Sequence, residues 1–528
     1  MPVPPASPSS THQHTLGDVL RRTASRMPHK PAILCGKVQW TYSEFDAICT
    51  RIAKTLLASG IGTGDRVAIL SRNSHAFAAM RFALARMGAV MVPINFMLNA
   101  DEVAFILRSS GAKTLLVGSG FEQLGADAAS RQTDVTRFIW LPGEEDGAAA
   151  PAGMESFDAL LQDAPPHVDL PELDSRALLQ IIYTSGTESL PKGAMLTHEA
   201  VLWEYVSCVI EGDIAASDVL LHALPLYHCA QLDVFLGPGT YLGTTNIITG
   251  QPRPDVILPL LAQHRVNSFF APPSVWIALL RSPLFEQTDL ACLEKGYYGA
   301  SIMPVEVLKE MQVRMPRVRL WNFYGQTEIA PLATVLYPED QLRKAGSAGK
   351  PVLNVETRVV DDDLNDVAPG EIGEIVHRSP QLLIGYYNDP EKTAAAFRGG
   401  WFHSGDLAIR DEEGYITVVD RKKDMIKTGG ENVASREVEE MIFRIPQVSE
   451  VAVVGLSDPY WVEAVTAVIV VKAGQSLGEE DVIRFCKENM AHFKVPKQVI
   501  FTDALPKNPS GKLLKRELRK RYEKSAMQ

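Results

Sequence analysis

Apolar residues recur along this chain in two alternating rhythms. TLGDVLRRTASRM places them at helical spacing from Leu16, and HAFAAMRFALARMGA does so over a helix predicted to end near Gly88. DRVAIL, VMVPIN and KTLLVG are short aliphatic and β-branched runs, and VNSFFAPP is a strand stopped by proline. Short buried strands separated by helices predict a parallel α/β sheet with functional loops at the strand ends. The segment 148–171 is rich in Ala, Pro and Asp and reads as a surface connection.

The rhythm changes after about Lys350. ETRVVDDDLNDVAPGEIGEIVHRSP is strand, turn, strand with no helix between, which predicts a small antiparallel barrel over about 351–419. Charge and glycine then concentrate in VVDRKKDMIKTGGENV, and a new α+β unit follows. Its helices are REVEEMIFRI and EEDVIRFCKENM, and its strands SEVAVVGL and AVTAVIVV. We place a boundary at about 420, giving a large unit 15–419 and a small one 420–528. Near the end, Leu514, Leu518 and Tyr522 recur at i, i+4, i+8 in a basic segment, as in an amphipathic surface helix with a solvated charged face.

Length and composition narrow the function. At 528 residues the chain holds two or more domains, and 46% hydrophobic with 22% charged residues is ordinary for a globular protein. A net charge of −11 argues against nucleic acid or an anionic membrane as the main partner. The six cysteines are scattered without a CxxC pair, which suits buried thiols in a reducing compartment. Residues 1–14, rich in Pro and Ser without an apolar core, read as a disordered lead-in and not as a signal peptide. No apolar run reaches the roughly 18 residues of a spanning helix, so a cytoplasmic location is expected.

Candidate chemistry gathers in separate short segments. In YTSGTESLPKG, Thr184, Ser185, Gly186 and Thr187 offer close backbone approach and hydroxyl donors, and Lys192 adds a positive charge. That suits phosphate, although the order is not that of a Walker A loop. In WNFYGQTE, the Tyr324 ring can stack on a base, Thr327 can bond a phosphate or acyl oxygen, and Glu328 can reach Mg²⁺. Asp406, after Gly405, suits a ribose diol, and Lys512, in PKNPSGK, carries a charge on a loop. Taken alone, the last three segments read as ordinary turns or solvent-exposed charge.

Their order is what carries meaning. YTSGT…PKG, YGQTE, SGD, DRKKDMIKTGGENV and PKNPSGK together closely resemble the adenylate-forming enzymes, and among them the acyl-CoA synthetases, over residues 15 to 524. The resemblance implies a large N-terminal domain of stacked α/β sheets plus a small β-barrel, followed by a small mobile α+β C-terminal domain. It implies ATP, Mg²⁺ and coenzyme A as co-substrates or cofactors and a carboxylic acid as substrate, with no nucleic acid. It also allows a homodimer. Carried over by position, Thr184, Ser185, Gly186, Thr187 and Lys192 wrap the β- and γ-phosphates. Gly299, Ala300, Ser301 and Tyr324 wall the adenine, Thr327 and Glu328 serve the α-phosphate and Mg²⁺, and Asp406 and Arg421 hold the ribose. Lys512 bridges carboxylate and α-phosphate, Lys423 is the hinge, and the IKTGGENV loop lines the pantetheine channel.

Two positions depart from the resemblance. Glu188-Ser189 stands where Thr-Gly is usual, and we expect Glu188 to face solvent or pair with a lysine. Val462 stands where glycine is common. For the acid, LPLYHCAQLDVFLGPGTYLGTTNII matches the acyl-pocket region, with His228, Tyr227 and Leu232 as lining, joined by Tyr298. Without a fixed cation for a second carboxylate, a fatty acid is the first expectation. An aryl acid of the hydroxycinnamate type, or loading of a carrier protein in trans, is the alternative.

Overall fold

The computed structural model describes residues 14–144, 149–162, 168–184, 191–301, 303–421, 424–428, 431–507 and 513–526. Among these residues the strands form four sheets. One runs in the order Gly385–Tyr386, Lys192–Thr197, Leu178–Thr184, Val90–Ile94, Arg66–Leu70, Thr114–Gly118, Arg137–Leu141, Glu155–Ser156. Its central strands pair in parallel, while Leu178–Thr184 and Lys192–Thr197 form an antiparallel hairpin. A second, nine-stranded sheet carries Lys295–Gly299 parallel to Arg319–Gly325 near one edge.

One apolar core joins the two large sheets. Ile33 from the nine-stranded sheet and Val67, Ile69, Leu179 and Leu196 from the other enclose the helices Leu16–Arg26, Tyr42–Ala58, His75–Met87 and His198–Glu211. Local signals explain where these helices stop and start. Tyr42–Ala58 opens on a capping box, in which the Glu44 amide donates to Thr41 Oγ1 and the Thr41 amide to Glu44 Oε2. His75–Met87 is buried on every side and ends at Gly88, whose φ of +74° glycine adopts without strain. The expected helix end near Gly88 is therefore where the structure has it.

The third sheet differs from the barrel anticipated for 351–419. Glu356–Val360, Gly373–Arg378, Phe402–Arg410 and Ile416–Arg421 form an open antiparallel sheet of four strands, with the helix Pro390–Ala396 between its second and third strands. Four strands are too few to close a packed barrel. A bridge between Gly349 and Ile416 instead docks this sheet to the nine-stranded one.

The fourth sheet begins with Ile426–Thr428 and is built around the long antiparallel pair Val448–Asp458 and Val462–Val471. Separate apolar clusters cover it, one with the helices Ser435–Phe443 and Glu479–Asn489, the other with Leu518 of Lys515–Ala526. Asp420 Oδ2 fixes the junction by accepting from the Ser435 amide (2.8 Å) and hydroxyl (2.7 Å). No helix among the described residues is long and apolar enough to cross a membrane.

Candidate active site

A cavity of about 590 Å³ opens where several strand ends converge. The hairpin brings Thr184 opposite Lys192, and both line the cavity. Arg319–Gly325 delivers Tyr324 and Gly325, and a single tight turn then presents Gln326, Thr327 and Glu328. Only glycine fits at 325, because a Cβ there would lie 1.7 Å from the Pro331 carbonyl oxygen. Lys295–Gly299 supplies Gly299 and Ala300, and Phe402–Arg410 supplies Ser404, Gly405 and Asp406. The third wall is the loop carrying Tyr227, His228, Cys229 and Ala230.

Side-chain bonds knit these pieces together. The Tyr324 hydroxyl donates to Asp406 Oδ2 at 2.7 Å, and Gln326 Nε2 donates to the Ser404 carbonyl at 3.2 Å. Asp406 sits directly across the ladder from Arg421. The Tyr386 hydroxyl donates to Glu328 Oε1 at 3.1 Å, and Lys192 Nζ lies 5.4 Å from the Tyr386 ring centre. Burial, reinforced by the Glu328 charge, pushes the Tyr386 phenol well up, so it stays a donor. Thr327 Oγ1 and Cys229 Sγ are 3.3 Å apart, and burial keeps that thiol protonated. His228 Nδ1 accepts from the Ala230 amide at 3.2 Å, which starts the short helix Cys229–Gln231.

A buried polar cluster anchors the pocket wall from behind. Arg81 pairs with Asp233 at 2.7 Å, both fully enclosed, and Gln180 Nε2 donates to the other Asp233 oxygen at 2.8 Å. Asp233 belongs to the wide turn Leu232–Leu236, whose Val234 and Phe235 line the cavity. A stack of rings packs there, with Phe235 and Phe270 in the cavity wall. Phe235 lies 4.6 Å from Phe270 and 5.0 Å from Tyr297, and Tyr297 lies 5.2 Å from Trp321.

A second, larger cleft of about 1610 Å³ meets the first at Ala300, Tyr324 and Asp406. Ser301 lines only this cleft, whose far side is formed by Arg436, Lys507 and Lys515. The site can thus be reached from two directions.

Of the expected site residues, Thr184, Lys192, Tyr227, His228, Gly299, Ala300, Tyr324, Thr327, Glu328 and Asp406 share one cavity. Ser185, Gly186, Thr187, Lys423 and Lys512, and with them Glu188 and Ser189, lie outside the described residues. Leu232 and Tyr298 do not line the cavity. Leu232 packs among the helices between the large sheets. Tyr298 follows Tyr297 on a strand, where successive side chains point to opposite faces, so it turns away and donates to Gln341 Oε1 at 2.6 Å. Sequence reasoning also missed Tyr386 and Asn73. Asn73 is buried and ties the strand ends together, donating to the carbonyls of Leu224 (2.7 Å) and Thr249 (3.0 Å) and accepting from the Leu226 amide. A polar residue just after the strand Arg66–Leu70 was the signal, since open α/β sheets put their binding loops there.

Comparison with known proteins agrees with this geometry. Residues 20–387 match the AMP-binding enzyme family and residues 437–512 the AMP-binding enzyme C-terminal domain. A feruloyl-CoA synthase of Amycolatopsis sp is 38% identical over 96% of this chain and 99% of its own length. A long-chain-fatty-acid–CoA ligase of Mycobacterium tuberculosis is 36% identical over 96% of this chain and 98% of its own. Among solved structures, the anthranilate CoA ligase AuaEII in complex with anthranoyl-AMP superposes with a TM-score of 0.90 at 25% identity, covering 98% of each chain. The chain belongs to the AMP-binding enzymes, the adenylate-forming superfamily, and within it to the AMP-forming acid–thiol ligases.

Proposed function

We propose that this enzyme activates a compact aromatic carboxylic acid with ATP and passes the acyl group to coenzyme A. The observation that carries the reading is a cavity with the rings of Phe235, Phe270 and Phe323 in its wall together with Thr184, Lys192, Thr327, Glu328 and Asp406. Ligand pockets of about 300–1,000 Å³ hold one drug-sized molecule. A cavity of about 590 Å³ with aromatic rings Phe235, Phe270 and Phe323 in its wall suits a planar acid. The fatty acid favoured by sequence alone therefore becomes the second reading. The names of two relatives, a feruloyl-CoA synthase and an anthranilate CoA ligase, support the first.

A carboxylate is a poor electrophile until it attacks the α-phosphorus of ATP and displaces pyrophosphate. In our reading Lys192 neutralises the β- and γ-phosphates, Ser185, Gly186 and Thr187 bond them, and Thr327 bonds the α-phosphate. Asp406, held by Tyr324, accepts from the ribose hydroxyls, with Arg421 beside it in the ladder. Gly299, Ala300 and Ser301 line the adenine edge, and Lys512 bridges the two reactants. Glu328 suits Mg²⁺, which keeps several waters and takes one or two carboxylates together with substrate phosphates. Tyr386 already orients that carboxylate, and no cluster of three or more ligating side chains occurs among the described residues. Bound there, Mg²⁺ would neutralise charge building on the phosphates. The thiol of coenzyme A then attacks the acyl carbon and expels AMP, arriving through the larger cleft after the small domain turns about Lys423.

The test compares kcat/KM for ferulate and for palmitate in coenzyme A-dependent AMP release. The aryl acid should lead by at least about tenfold, a difference of about 1.4 kcal/mol. A lead for palmitate would remove the aryl reading and leave the ligase intact.

A further inference from the structure

Tyr227 sits in the cavity wall with 7% of its surface exposed, and its hydroxyl has no hydrogen-bond partner among the described residues. The cavity that Tyr227 lines also has apolar wall residues, among them Pro93, Leu98, Ala230 and Val234. A buried hydroxyl without a partner is costly, so such groups in native proteins call for an explanation. Strain or looseness does not provide one here. The ring is held edge-on against Phe96 at 5.3 Å, and the preceding residue is tied through its amide to Asn73 Oδ1 at 2.7 Å. His228, the next residue, donates its amide to the Pro225 carbonyl at 3.1 Å. The ring is thus fixed in place in the cavity wall, with its hydroxyl enclosed and without a partner among the described residues.

We propose that the Tyr227 hydroxyl is a specificity-determining group that hydrogen-bonds an oxygen substituent on the ring of the acid, remote from its carboxylate. The proposal rests on the aryl-acid reading above. Burial alone pushes this phenol far up, so it is neutral at any working pH and can donate or accept. A site built to bond a substrate hydroxyl discriminates strongly against an analogue that lacks it, because the buried group is then left unpaired.

The experiment uses unreactive acyl-sulfamate mimics of the adenylate, made from cinnamate, from its 3- and 4-hydroxy derivatives and from decanoate. Calorimetry measures their binding to the full chain and to Tyr227→Phe. The wild type should bind the better hydroxy compound roughly tenfold tighter than the cinnamoyl compound, as one net hydrogen bond gives. Tyr227→Phe should bring that ratio to about one and leave the cinnamoyl and decanoyl affinities unchanged. A wild-type ratio near one, a ratio untouched by the substitution, or equal weakening of all the mimics would overturn the proposal. A wild type that binds only the decanoyl mimic refutes the aryl reading along with the proposal, and one that binds none refutes the ligase reading too.

Discussion

His198 ties the N-terminal helix to the core in a way that acid should undo. The ring is fully buried, and its Nδ1 accepts from the Leu16 amide at 3.2 Å at the start of the helix Leu16–Arg26. That bond requires the proton to sit on Nε2, so a second proton on Nδ1 would face the Leu16 N–H directly. Burial first, and the Arg81 charge second, lower the pKa to about 3. An unfolded histidine titrates near 6.5. Between those values the open chain binds a proton that the native ring refuses, so stability rises with pH and is lost on acidification. At pH 5 the open state gains about 1.5 pH units of proton binding, or about 2 kcal/mol. Hydrogen exchange of the amides in Leu16–Arg26, corrected for intrinsic rates, isolates this helix from the rest of the chain. Their protection should fall about thirtyfold between pH 7.5 and pH 5. His198→Asn keeps an acceptor for the Leu16 amide but cannot titrate, so it should be less stable at pH 7.5 and lack most of that fall. His222, lowered to about 4, lies elsewhere, bonded to Asn246 at 3.0 Å, and serves as an internal contrast. An equal fall in wild type and His198→Asn would refute the assignment.

One further perturbation concerns a single contact and another a single backbone angle. Tyr386→Phe removes the hydroxyl that orients Glu328, and losing such an outer partner typically costs about 10- to 100-fold in metal affinity. The Mg²⁺ needed for half-maximal pyrophosphate release should rise by that factor while KM for the acid holds, and an unchanged Mg²⁺ requirement would contradict the role. Val462 adopts φ +70° with 68% of its surface exposed, a left-handed conformation that costs an L-residue about 1–2 kcal/mol. Glycine relieves that strain at an entropic cost of about 0.5–1 kcal/mol. Val462→Gly should therefore raise the urea midpoint of the small domain by the equivalent of about 0.5–1 kcal/mol, and a lowered midpoint would show that the side chain packs usefully.

Much of the site was legible because its chemistry sits at strand ends, where the polar residues interrupt apolar runs. Thr184 and Tyr324 stand at or next to strand ends and reach the cavity, and Asp406 reaches it from within the strand Phe402–Arg410. The pocket wall was harder to read. LDVFL reads as apolar core, and a sequence does not say that the wide turn there buries Asp233 against Arg81, 152 residues away, while Val234 and Phe235 face the cavity. Tyr297 and Tyr298 look equivalent, yet strand alternation sends them to opposite faces. Tyr386 lies in a two-residue strand that carries no periodic signal, and only the fold brings it to Glu328. Val462 was visible as a departure, and its backbone angle gives that departure a physical meaning.

In the proposed reaction a carboxylate oxygen attacks the α-phosphorus of ATP. An acid labelled with ¹⁸O in both carboxylate oxygens tests this directly. The enzyme is incubated with the labelled acid, ATP, Mg²⁺ and coenzyme A, and the products are weighed by mass spectrometry. We predict one labelled oxygen in AMP, the other retained in the thioester, and none in pyrophosphate. Label in inorganic phosphate with formation of ADP would mean an acyl-phosphate route and would contradict the account.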